Sequence, residues 1–177
     1  VNHQRFDVDQ AVELLERTPG VLRSLLTGLS DAWVHATEGP ETWSPYDVLG
    51  HLIHGEETDW IGRARMILEH GEQRTFEPFD RTAFFRKSDG KTLPGLLDEF
   101  EALRHQNIEA LRAFRLTPEH LQRRGRHPDF GPVTLAQLLA TWTVHDLTHL
   151  TQIVRVLARQ YDAEVGPWKA YLGVLRR

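Results

Sequence analysis

The 177-residue sequence contains no cysteine and one methionine. Without a thiol the chain has no disulfide, no cysteine zinc site and no cysteine nucleophile, so any sulfur chemistry must use a thiol brought in as cosubstrate. An excess of positive charge is also missing: 21 lysines and arginines stand against 25 aspartates and glutamates, a net charge of −4 with histidine neutral. A weakly acidic chain has no long-range attraction for phosphate polymers, which argues against nucleic acid as a partner. No apolar run approaches the roughly 20 residues of a membrane helix, and the opening VNHQRFDVDQ is no signal peptide. The expectation is a single cytoplasmic domain over residues 1–177, long enough to bury one full core.

Strand-length runs of β-branched and aromatic residues are lacking too. Helical periodicity fills the chain instead. A first block, from about Asp9 to Leu29, puts Val12, Leu15, Leu22, Leu25, Leu26 and Leu29 on or near one stripe. Thr18-Pro19-Gly20 in its middle predicts a kink or restart, since Thr can cap and Pro suits the first helical position. A second block opens at Ser44-Pro45-Tyr46-Asp47, a capping hydroxyl followed by Pro and a first-turn acid, and runs to about His70. The third, Leu96 to Phe114, aligns Leu96, Phe100, Leu103, Leu111 and Phe114. The fourth opens with the capping-box pattern Thr134-Leu135-Ala136-Gln137 and continues to about Tyr161. A short fifth piece, Pro167 to Leu175, is expected to pack Trp168 and Leu172 onto the body. Four long amphipathic helices predict an all-α four-helix bundle. Gly71 to Pro94 is a long helix 2–3 connection, too rich in phenylalanine (Phe76, Phe79, Phe84, Phe85) for a solvated linker, and reads as an ordered cover. Arg123 to Pro132 reads as a second irregular stretch.

Ten histidines are the one unusual abundance. In the fourth helix the inward stripe runs Leu138, Trp142, His145, His149, Ile153, so two imidazoles stand where hydrocarbon is called for. At i and i+4 their Cβ atoms lie roughly 5–6 Å apart on one face, a spacing that suits two ring nitrogens converging on one ion. Left without a ligand, each buried ring would need its own hydrogen-bond partner. A catalytic metal needs a third protein ligand and an open position. The second helix offers His51, whose stripe continues through Gly55, Thr58 and Gly62; two glycines there cost helix propensity and imply close helix approach or room for a substrate. His54 competes as ligand, proton carrier or surface residue. Asp47, one turn before His51, could fix its tautomer or simply serve the helix start. Gln152, three residues after His149, could orient a bound water or substrate, or bond across a subunit contact. His3, His35, His70, His105, His120 and His127 are read as solvated, and Trp43, Trp60 and Trp142 as core or joint residues. His145-Asp146-Leu147-Thr148-His149 imitates the H-E-x-x-H peptidase motif, but Asp stands where the general base must be Glu, and Glu164 is a poor downstream ligand.

The strings Trp43-Ser44-Pro45, Val48-Leu49-Gly50-His51-Leu52, Trp60 and Arg63 resemble the second helix of the DinB/YfiT-like metalloenzymes, the DinB superfamily. The likeness continues in Gly131-Pro132-Val133-Thr134-Leu135, Trp142, His145-Asp146-Leu147-Thr148-His149 and Gln152-Ile153, with Leu15 through Pro19 similar to the first-helix signature. It covers nearly the whole chain. The resemblance implies an up-down-down-up bundle, often dimeric, with zinc or nickel on His51, His145 and His149. It also implies a homodimer acting on a small-molecule substrate, in some relatives with a low-molecular-weight thiol. Imidazole ligands by themselves suit Zn, Ni, Cu and Fe alike. One divalent transition metal per chain on three neutral rings would acidify a bound water or thiol. The expected activity is therefore hydrolysis by a metal-bound hydroxide, with His54 or a carboxylate moving protons, or transfer of a thiol activated as a metal thiolate. The alternative is a non-catalytic metal-binding or stress-response protein of the same fold.

Overall fold

The computed structural model describes residues 6–176, so His3 lies outside the described residues. Among the described residues, nine α-helices build four arms and their connections. The first arm is α1 (Val8–Leu15) and α2 (Thr18–Leu26), followed by one turn, α3 (Asp31–Val34). The second is α4 (Pro45–Thr58) and α5 (Trp60–His70); α6 (Ala83–Ser88) lies in the long connection. The third is α7 (Leu93–Ala113), then the single turn α8 (Pro118–Leu121); the fourth is α9 (Leu135–Arg159).

Local chemistry sets these boundaries. Ser44 accepts from the Asp47 amide while the Asp47 carboxylate accepts from the Ser44 amide, a complete capping box with Pro45 where no N–H is needed. Thr134 and Gln137 do the same for α9. The restart at Thr18-Pro19 is present, but Thr18 does not cap it: its hydroxyl donates back to the Leu14 carbonyl at 3.4 Å, and Arg17 precedes α2 with no side-chain cap. The second arm is broken at Asp59 (φ −108°, ψ −71°), which the uninterrupted periodicity of residues 45–70 hides.

Three contacts fix the directions of the arms. The Tyr46 hydroxyl donates to the carbonyls of Ser88 and Lys91, so the second and third arms start at the same end. Arg23, near the end of the first arm, reaches Asp98 and Glu101 at 2.7 Å, near the start of the third. Val12 and Leu15 share a cluster with Leu138 and Leu139, while Arg155 holds Glu38 at the far end. The order is up-down-down-up. Consecutive parallel arms cannot be joined by a tight turn, which is why residues 71–92 form a long crossing segment. That segment is an ordered cover: Phe76 and Phe84 are buried, and α6 packs so closely on α4 that a Cβ at Gly50 would collide with Ser88.

Arg123 to Pro132 is not irregular. Arg124–His127 (β1) and Gly131–Thr134 (β2) pair antiparallel, Gly125 opposite Val133, and the Phe76 amide donates to the Arg126 carbonyl at 2.9 Å. Strands of four residues carrying Gly125, Gly131 and Pro132 have too little alternation to be seen in sequence. Gly125 is needed there, since a Cβ would press on Ile67 and Phe76 at 2.6 and 2.9 Å. The C-terminal piece consists of two 3-10 segments, Gly166–Tyr171 and Gly173–Leu175, and anchors through Leu175. Trp168 and Leu172 do not pack inward as expected; Trp168 is 70% exposed. Among the described residues no helix is long and apolar enough to cross a membrane.

The core falls into two clusters, one around Trp60, Ile108 and Trp142, the other around Leu52, Phe100 and Ile153. Between them lies a buried polar layer: His51, His54, Glu56, Arg104, Asp146 and His149.

Candidate metal centre

His51 on α4 and His145 and His149 on α9 meet at one point. His145 Nε2 lies 3.1 Å from His51 Nε2 and 3.1 Å from His149 Nε2, and the three ligand atoms all lie within 4.8 Å of one another. A tetrahedral ion with bonds of 2.0–2.1 Å would hold such nitrogens roughly 3.3 Å apart. His149 Nδ1 donates to Gln152 Oε1 at 2.8 Å, which leaves the lone pair of a neutral ring on Nε2. With His149 an acceptor, a single N–H on His145 would have to serve two neighbours, so the cluster is poorly satisfied by hydrogen bonds alone. A cation at the convergence point satisfies all three, and the donor set fits a divalent transition ion.

Burial, then the neighbouring imidazole of His149, pushes His51 and His145 down to about 3; His54 and Arg81 add to this at His51, and His51 and Arg104 at His145. His149 is also lowered by burial, opposed by its bond to Gln152 and the field of Asp146. All three rings are neutral at pH 7, the state that ligates.

The other expected site residues are placed differently. His54 is buried but turned away from the cluster: its Nδ1 faces Lys87 Nζ at 3.3 Å and Glu57 at 3.8 Å, tying α4 to α6. Gln152 meets the triad through its Oε1, which accepts from His149 Nδ1 within the same helix. Asp47 does not reach His51, whose Nδ1 has no protein partner; its carboxylate serves the helix cap through the Ser44 amide and hydroxyl. The glycine stripe is only half explained: Gly55 faces the Trp60 indole, whereas Gly62 is exposed with nothing near it. Asp146 is no peptidase base, since it sits inside the bundle against Arg104. His127 is not simply solvated. Its ring stacks on Phe130 at 4.4 Å, its Nδ1 accepts from the amides of Asp129 and Phe130, and it lines the cavity over the triad.

Behind the triad stands an ion network that sequence reasoning missed. Arg104, 2% exposed, donates to both Asp146 oxygens at 2.6 and 2.9 Å, to Glu56 Oε1 at 2.8 Å and to the Leu15 carbonyl at 2.7 Å. The Trp142 indole and the Asn107 amide complete Glu56 at 2.8 and 3.0 Å. A signal was present: Glu56, Arg104 and Asp146 each fall on the inward stripe of a different arm, with opposite charges.

In front of the triad is a cavity of about 330 Å³, at the small end of ligand sites. Trp43, Trp60, Phe76, Phe79 and Phe130 give its walls an aromatic character, with Asp59, Arg63 and Arg81 among them. The Trp43 ring stacks over His149 and the Trp60 ring meets His145 edge-on at 5.1 Å. Arg63 Nε holds Asp59 at 2.5 Å. Burial pushes the Asp59 carboxyl up, against the pull of Arg63.

No curated protein matches the chain. Among solved structures, YfiT from Bacillus subtilis, described as "a probable metal-dependent hydrolase with an unusual four-helix bundle topology", superposes with a TM-score of 0.76 at 22% identity, over 89% of each chain. TT2238, described as a four-helix bundle protein, matches with a TM-score of 0.56 at 19% identity, over 84% of this chain and 98% of its own. These likenesses establish the fold. The family itself is established by a profile of the DinB superfamily that matches residues 14–153, from the first arm through the histidine pair of α9: the chain belongs to the DinB superfamily.

Proposed function

We propose that the protein is a metal-dependent hydrolase of a small molecule, with zinc or nickel held by His51, His145 and His149. The observation that carries this reading is the convergence of three neutral Nε2 atoms at the floor of an aromatic cavity. An ion on three uncharged ligands with a position open to the cavity supplies a Lewis acid that acidifies a ligated water or thiol. The chain's own groups do the rest. Gln152 holds the His149 tautomer, Trp43 and Trp60 limit ring rotation and exclude bulk water, and Asp59 is the cavity carboxylate available to take and return a proton. His54, tied to Lys87, is left a structural part. The reading also takes the protein to be a cytoplasmic homodimer; the exposed stripe Val144, Leu147, Val154 on α9 supports a contact between copies.

The test is elemental analysis with turnover assays on generic esters, with and without small thiols and electrophiles. One ion per chain, removable by strong chelators, and ester hydrolysis lost in His145→Ala with the helical signal intact are the expected results. Turnover only with an added thiol would make the protein a thiol transferase; metal without any turnover would make it a binding protein. A His51→Ala protein that still holds stoichiometric metal would overturn the ligand set.

A further inference from the structure

We propose that the cavity selects small anionic molecules, a carboxylate on an apolar or aromatic body, and that Arg81 is the residue that holds the carboxylate. This deepens the functional reading, and rests on it for the identity of the cavity as the substrate site. Two guanidinium groups stand in the cavity wall. Arg63 is already committed: it pairs with Asp59, donates to the Glu77 carbonyl at 3.1 Å and lies 5.2 Å over the Phe76 ring. Its charge is balanced by Asp59, and its Nε and Nη2 are engaged by the Asp59 carboxylate and the Glu77 carbonyl, so it stands as part of the wall. Arg81 differs. It is exposed just before α6, and no acidic side chain among the described residues pairs with it. The nearest acid in sequence, Asp80, is occupied at the start of α6 by the Thr82 amide and hydroxyl and the Ala83 amide. With the triad neutral and Arg63 balanced by Asp59, Arg81 is the positive group of the lining with no carboxylate paired to it among the described residues, and it is exposed to solvent.

That arrangement has a direction. The apolar body of a ligand fills the aromatic middle, lined by Phe79 and Trp43, its reacting end reaches the triad, and its anionic end meets Arg81. Guanidinium recognises a planar carboxylate through paired charge-assisted hydrogen bonds. A neutral isostere of the same size keeps the aromatic contacts and forgoes these.

The experiment uses metal-loaded protein titrated calorimetrically with 3-phenylpropionate and its neutral amide, 3-phenylpropanamide. The acid should bind about tenfold tighter than the amide, as expected for one partly exposed charge-assisted contact. In Arg81→Met this preference should collapse to within about twofold, and Arg81→Lys should keep part of it. Metal content is measured in each protein, since a carboxylate could instead ligate the ion. An acid preference that survives intact in Arg81→Met would show that the carboxylate goes to the ion and would overturn the proposal. So would equal binding of acid and amide, or no binding of either. Repeating the titration with His145→Ala separates the two readings: an Arg81-dependent acid preference there, without metal, stands even if the hydrolase reading fails.

Discussion

Arg104 is the residue on which the buried layer is most exposed to perturbation. Replacing it with methionine keeps most of its volume and stem packing but removes four donor contacts of 2.6–2.9 Å. The consequences for its two acids differ. Glu56 keeps the Trp142 indole and the Asn107 amide. Asp146, 2% exposed, loses every side-chain partner it has. Breaking a buried ion pair by deleting one partner costs about 3–5 kcal/mol, because a charge is left in a medium that cannot solvate it. Arg104→Met should therefore lose about 4 kcal/mol, read as a lower urea midpoint at unchanged slope, and a melting temperature lower by roughly 10 °C for a chain of this size. Adding Asp146→Asn to Arg104→Met removes the orphaned charge and should recover part of the loss, a coupling that a simple packing defect would not show. A loss under about 1 kcal/mol, or a double variant worse than the sum of its parts, would refute the picture of a dry, mutually dependent layer.

The triad makes metal-free protein acid-sensitive. His51 and His145 titrate at about 3 when folded, below the ordinary 6.5 of an unfolded ring. Between those values the unfolded chain binds protons that the folded chain does not, so stability falls as pH drops from about 6.5 toward 3. At pH 5 relative to pH 7 the loss is about 2 kcal/mol per ring. Denaturation of chelator-treated protein at the two pH values measures it, and a His51→Gln, His145→Gln protein should lose most of that slope; an unchanged slope would refute the assignment. Gln152→Leu removes the acceptor that sets the His149 tautomer, and metal affinity should fall about 10- to 100-fold in a competition titration. Affinity unchanged by Gln152→Leu would show that the amide does not orient the ligand.

The arms were legible because each begins with explicit chemistry: Ser44 with Asp47, and Thr134 with Gln137, mark helix starts that the structure reproduces as full capping boxes. The histidines of α9 were legible for the same geometric reason, since a spacing of four fixes their shared face whatever the partner. The partner from α4 was less certain, because His51 and His54 are three apart and both are buried; only the crossing of α4 against α9 and α6 decides that one ring meets the pair and the other meets Lys87. What stayed hidden needed the third dimension. The break at Asp59 has no glycine or proline to announce it. The hairpin of β1 and β2 is held by Phe76, some 50 residues upstream of its partner Arg126, rather than by its own pattern. His127 looked like a loop residue until Phe130 folded back on it.

Asp146 links the ion network to the histidine pair. It stands between the two α9 histidines in sequence but faces the bundle interior, where two carboxylates meet one guanidinium. Such a layer interrupts the core at one level in three arms, where replacing a buried ion network whole by well-packed apolar residues is often neutral or stabilising. Two carboxylates outnumber one guanidinium behind the rings, but their field is mixed there: Asp146 favours the charged form of His149, whereas Arg104 disfavours that of His145. Burial keeps protons off those rings. An ion held there as proposed would supply the positive charge that desolvation denies an imidazolium, at the point where the aromatic cavity opens.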